Sequence, residues 1–149
     1  MAIARIKELT NPNYVYQLGR RFKCGCYAFW GGIVSKHTLK VKQTEMPTFT
    51  NSKESDVNIG CFEGMLLPKQ IIESVGYPEE DFFLIEDDTY YGWKIAKKYR
   101  IKALHEVYLI RNWTASEYLQ KAQLSSKNSN LTRYLAHRNP LLWAKRDKL

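Results

Sequence analysis

Phe82-Phe83-Leu84-Ile85-Glu86-Asp87-Asp88-Thr89-Tyr90-Tyr91-Gly92-Trp93-Lys94-Ile95-Ala96-Lys97-Lys98 decides the fold: a short apolar run, three consecutive acids, then a helical pattern. The run Phe82 to Ile85 reads as a short buried strand, and Asp88 as the N-cap of the helix that follows. Within that helix Tyr91, Ile95 and Tyr99 recur every four residues and so share a core face, with Gly92 and Ala96 beside them allowing close approach. Lys97 and Lys98 suit its C-terminal end. Three adjacent carboxylates repel one another, so their place beside a buried strand calls for a nearby cation or a helix N-terminus. Catalysis is one reason to keep them, and capping is the other.

Working outward, Gly64 to Pro78 reads as a turn into a short helix, Pro68 to Val75. Proline suits the first helical position, Ile71, Ile72 and Val75 share a face, and Gly76 is a stop. Before it, Val57 to Leu67 reads as a strand with two glycines, Gly60 and Gly64, where backbone can approach a ligand. Tyr14 to Leu18 and Cys24 to Trp30 read as strands, and Ser35 to Asp56 as a long polar surface loop. Downstream, Arg100 to Leu104 and Val107 to Ile110 form one strand, or two with a break near His105-Glu106. Helical stretches follow at Thr114 to Gln123 and at Leu131 to Lys148, the latter kinked or broken at Pro140. The fold class is therefore α/β: a single domain over 1–149, with an α/β core at 14–111 and a helical segment at 114–149.

The chain has 149 residues, 44% of them apolar, and a formal net charge of +8. That is enough material for one core, and the charge favours polyanions without choosing among them. Six of the fifteen acids lie between Glu79 and Asp88, while Lys94, Lys97, Lys98, Arg100 and Lys102 follow directly. Such a segregation fits either a site or a solvated helix face. The acidic centre argues against a nucleic-acid module, and no phosphate-loop, nucleophile-elbow or nucleic-acid-binding motif occurs. Three cysteines without a secretory leader fit a reducing cytosol, and no stretch approaches the roughly 20 apolar residues that span a bilayer. Cys24, Cys26 and Cys61 with His37, His105 or His137 make a poor zinc set on spacing.

Taken in order, Tyr16-Gln17-Leu18-Gly19, the Gly64 to Pro78 segment, Asp81 to Asp88 with its helix, and Tyr134-Leu135-Ala136-His137-Arg138-Asn139 resemble the family 2 glycosyltransferases. The similarity is to the bacterial rhamnosyltransferase and galactofuranosyltransferase group, over about Tyr14 to Arg146. The resemblance implies the acceptor-side portion of a GT-A fold, without the N-terminal nucleotide-binding half. It implies inverting transfer of a sugar from a nucleotide-diphospho-sugar to a glycan or lipid-linked acceptor, in cell-surface polysaccharide synthesis. The alternative is an inactive truncated fragment that acts, if at all, by binding.

In that resemblance Asp88 is the base that takes the acceptor hydroxyl proton, with Asp87 beside it positioning the acceptor. Gly64, Glu86, Trp93, Arg111 and Arg138 are the binding residues, with Tyr90 and Trp93 read either as core aromatics or as sugar-stacking rings. The family implies a manganese or magnesium ion. However, no Asp-x-Asp occurs, and Arg111 stands where a metal-ligating His is expected. The partners implied are a nucleotide-sugar and a saccharide acceptor. The basic C-terminal helix either touches the inner membrane face or packs on the domain's own flank. Without the donor half, an exposed sheet edge implies self-association.

Overall fold

The computed structural model describes residues 11–23, 27–28, 31–35, 41–43, 54–82, 85–114, 116–117, 120 and 130–148. The architecture is mixed α/β, with two sheets and three helices among these residues. The strands are β1 (Tyr14–Arg21), β2 (Tyr27–Ala28), β3 (Gly31–Val34), β4 (Val41–Gln43), β5 (Glu54–Val57), β6 (Ile59–Gly60), β7 (Met65–Leu66) and β8 (Arg100–Ile110). The helices are α1 (Lys69–Val75), α2 (Asp87–Ala96) and α3 (Asn130–Asp147). No helix among the described residues is long and apolar enough to cross a membrane.

The larger sheet runs β2-β1-β8-β5, with β7 also on β1. β1 and β8 are its parallel pair, and the other pairings are antiparallel. β1 is buried along nearly its whole length, as expected for a strand covered on both faces. β8 is one strand with an irregularity where the sequence left a break open: β1 advances from Gln17 to Gly19 while β8 advances from Ala103 to Tyr108. Gly19 suits the close approach there, because a Cβ would lie a tight 3.1 Å from the Leu104 carbonyl oxygen. The smaller sheet runs β4-β3-β6.

Several local expectations change. The segment Ser35 to Asp56 contains β4 and most of β5 rather than only a loop. β5 escapes an apolar count because cross-strand charges hold it to β8: Lys102 reaches Glu54 at 3.0 Å and Asp56 at 3.2 Å, and Arg100 reaches Asp56 at 2.6 Å. Val57 to Leu67 is not one strand. Asn58 accepts from Val34 N at 2.7 Å and donates to Val34 O at 3.0 Å, turning the chain from the larger sheet into the smaller one. Phe82 belongs to a 3₁₀ turn, Glu80–Phe82, and not to a strand, because its amide bonds back to Glu79 O at 3.1 Å. Phe83 and Leu84 lie outside the described residues, as do Cys24, Cys26, Trp30, His37 and most of the Thr114 to Gln123 helix. α3 runs through Pro140 without a break.

α2 is buried on two sides. Tyr91 and Ile95 pack with Val15, Ile71 and Ile101 under the larger sheet, as the four-residue spacing predicts. Tyr90 and Trp93 pack with Ile59, Phe82 and Trp143 against the smaller sheet and α3. Phe82 stacks on Tyr90 at 4.2 Å, and Trp143 meets Trp93 edge-on at 5.6 Å. Gly92 permits the contact with β6, since a Cβ there would lie 2.8 Å from Gly60 N. Each fully buried aliphatic side chain such as Ile71 or Ile95 contributes about 1.5–3 kcal/mol. Together these contacts lock the head of α2 against β6.

Candidate functional site

β1 and β8 end side by side at Arg21 and Ile110, and the following segment stays paired: Arg111 N donates to Arg21 O at 2.7 Å and Lys23 N to Trp113 O at 3.0 Å. The carboxyl ends of adjacent parallel strands are where open α/β sheets place their ligands. Here a cleft of about 380 Å³ is lined by Glu63, Arg111, Asn112 and Trp113.

Gln17 holds the turn that brings Glu63 to the cleft. It is fully buried on β1, accepts from Cys61 N at 3.0 Å and donates to Glu63 O at 3.1 Å. It therefore pins the Cys61-to-Gly64 turn, in which Gly64 adopts φ +86° and its carbonyl accepts from Leu18 N at 2.9 Å. The turn presents Glu63 to two guanidiniums. Arg20 Nη1 lies 2.5 Å from Glu63 Oε2, and Arg111 Nη2 bonds the same oxygen. Burial works against the Glu63 carboxylate, yet the hydrogen bonds from Arg111 and Arg20 outweigh it and hold it below the usual range.

The acidic segment sits at the head of α2, and none of its carboxylates is among the described residues that line the cleft. α2 begins at Asp87, so Asp88 lies inside the first turn and is not the N-cap; Glu86 takes the cap position, with φ 60° and no side-chain cap bond. A left-handed glutamate is strained, and here Glu86 O holds Tyr90 N at 2.8 Å. Asp88 Oδ1 accepts from Thr89 N at 2.7 Å and Thr89 Oγ1 at 3.3 Å. Burial first, then the Asp87 charge, raise the Asp88 carboxyl above its ordinary range, while Thr89 and the more distant Arg20 pull it back in part. Glu86 is raised as well, by burial and by Asp88. Asp88 is thus a half-buried, more basic carboxylate within electrostatic reach of Arg20.

The other predicted residues fall in two places. Gly64 and Arg111 belong to the cleft region, while Asp87 and Glu86 flank Asp88. Trp93 is a correction: it is 5% exposed, packs on Trp143 and donates its indole N–H to Asp147, so it presents no ring face to a sugar. Arg138 lies on α3, where its guanidinium bonds Asp81 O and reaches Asn139 Oδ1 at 2.7 Å. Asn139, fully buried, donates in turn to Ile85 O. The Arg138-Asn139 pair therefore fastens α3 to the segment leading into the acids and acts by holding it.

Ion pairs from Arg146 to Glu79 at 2.7 Å and to Asp81 at 2.5 Å add to that attachment. Glu63, which lines the cleft, and Gln17 and Arg20, which hold its turn and its carboxylate, are residues that sequence reasoning missed. Gln17 and Arg20 sit in or beside the Tyr16 to Gly19 motif, which was the available signal.

Arg111, at the position where a metal-ligating His is expected, offers no ligand to a divalent cation. Arg111 brings a guanidinium bonded to Glu63, which repels a second cation. Among the described residues no three His, Cys, Asp or Glu side chains come together to hold one. Cys61 is held within the Gln17 network, and His105 bonds Ser55 Oγ at 3.0 Å on the β5–β8 pair. No protein-family model, curated protein or solved structure matches the chain.

Proposed function

We propose that this chain is the acceptor-side portion of an inverting glycosyltransferase with a GT-A-like core, in which Asp88 is the general base. The supporting observation is the half-buried Asp88 at the head of α2, its carboxyl raised by burial and by Asp87 and within electrostatic reach of Arg20 on β1. An alcohol is a poor nucleophile near neutral pH. A carboxylate of raised basicity takes the hydroxyl proton as the oxygen attacks the anomeric carbon, and the C–O bond to the diphosphate breaks on the opposite face. Asp87 and Glu86 hold the acceptor side. The substrates are a nucleotide-diphospho-sugar and a saccharide or lipid-linked acceptor, in cell-surface polysaccharide synthesis at the cytoplasmic membrane face. α3 carries Arg133 and Lys145, and Lys148 follows its end, for contact with anionic headgroups.

The test incubates the purified protein with a panel of nucleotide-diphospho-sugars and oligosaccharide acceptors and follows product by mass spectrometry and anomeric NMR. An acceptor gaining one sugar with inverted configuration is the expected result. A retained configuration contradicts the mechanism. A second reading, a binding piece without turnover, draws on the guanidinium of Arg111 where the resemblance expects a metal ligand, and it predicts donor binding with no product.

A further inference from the structure

The guanidinium of the cleft-lining Arg111 and that of Arg20 on β1 meet on one atom, Glu63 Oε2. Their side chains are 10% and 17% exposed, whereas that of Glu63 is 42% exposed and lies at the cleft wall. The cations are thus built into the ends of β1 and β8, and the anion between them is carried on a turn at the surface. A single oxygen bridged by two guanidiniums is also the geometry in which arginine pairs hold phosphoryl oxygens. Trp113, 41% exposed, lines the same cleft as Glu63 and offers it an aromatic surface.

We propose that Arg20 and Arg111 form a seat for a diphosphate group, that Glu63 occupies this seat until the ligand displaces it, and that no divalent cation takes part in the binding. This deepens the transferase reading by identifying what would receive the leaving group, and it rests on that reading for the diphosphate's identity as a nucleotide. Glu63 acts as an internal competitor: its carboxylate marks where a ligand oxygen sits and lowers apparent affinity while it remains there. The cleft's volume admits a diphosphate with an attached ring.

Isothermal titration in EDTA with inorganic pyrophosphate, then with uridine and guanosine diphosphates, tests the seat. Pyrophosphate binds the unaltered chain without metal. Glu63→Gln tightens it about 5–10-fold by removing the competing charge, and Arg111→Gln weakens it about 10–100-fold. Trp113→Ala weakens a nucleoside diphosphate more than pyrophosphate, which separates a nucleotide from a bare diphosphate as the source. Should Arg111→Gln fail to fold, the gain in Glu63→Gln still decides. The seat is overturned if pyrophosphate binds only with added manganese, if Glu63→Gln binds no tighter, or if a folded Arg111→Gln keeps full affinity. Binding without any transfer rejects the transferase reading and keeps the seat; transfer without metal-free binding does the reverse.

Discussion

Replacing Asn139 by alanine probes how the C-terminal helix holds the acidic segment. Asn139 is fully buried, its amide donates to Ile85 O, and its carbonyl accepts from Arg138 Nε at 2.9 Å and Nη2 at 2.7 Å. In the variant the Ile85 carbonyl loses this donor, at about 1–3 kcal/mol for a buried group. Arg138 is only half-buried, so water replaces its lost acceptor at a cost of about 1 kcal/mol or less. The sum is about 1–4 kcal/mol, a large share of the roughly 5–15 kcal/mol that stabilises a typical domain. For a chain of this length that lowers Tm by about 2–16 °C. Urea unfolding followed by tryptophan fluorescence measures it, since Trp143 lies one turn away on the same helix face. Leu141→Ala, 72% exposed on α3, is the control and shifts stability by less than about 0.5 kcal/mol. An Asn139→Ala variant as stable as that control refutes the reasoning.

Gly92→Ala forces a Cβ to within 2.8 Å of Gly60 N, so overpacking of about 1–3 kcal/mol outweighs the roughly 1 kcal/mol gained in helix propensity; a rise in denaturation midpoint contradicts the α2–β6 contact. Asp147→Ala removes the acceptor shared by the Trp93 and Trp143 indoles and the partner of Lys97 at 2.7 Å, costing about 2–4 kcal/mol in chemical denaturation; an unchanged midpoint speaks against the anchor. The Cys61 thiol is pushed up to about 11, chiefly by burial, so at pH 8 only about 10⁻³ of it is thiolate. Peptide mapping after native alkylation should find Cys61 unmodified until denaturant is added, and rapid native labelling there contradicts the buried network.

The helices were the most legible part of the fold, because apolar spacing reports burial directly: Tyr91 and Ile95 fall where their periodicity places them. What pattern could not show is a second buried face. Tyr90 and Trp93 are covered by Trp143, which lies far along the chain, and no local period encodes that. β5 was hidden for a related reason, since its strand is held by charges that meet Arg100 and Lys102 only across the sheet. At the site, Asp88 stood out through the oddity of three adjacent acids, whereas Arg20, Gln17 and Glu63 looked like ordinary strand and turn residues. Their meaning comes from the parallel pairing of β1 with β8, a tertiary fact. Arg138 was legible as a motif position and Trp93 as a core or sugar-stacking ring, but their bonds to Asp81 O and Asp147 are long-range facts that no local pattern encodes.

The most direct measurement is the pH–rate profile of sugar transfer for the unaltered chain and for Asp88→Asn. Because Asp88 is raised in the folded state by burial and by Asp87, its deprotonated, active form accumulates only as pH climbs above the ordinary carboxylate range. The account predicts an acidic limb displaced upward for the unaltered chain, and a loss of about 10²–10⁴-fold in rate with no such limb for Asp88→Asn. Transfer by Asp88→Asn within a few-fold of the unaltered rate, with the same acidic limb, contradicts it.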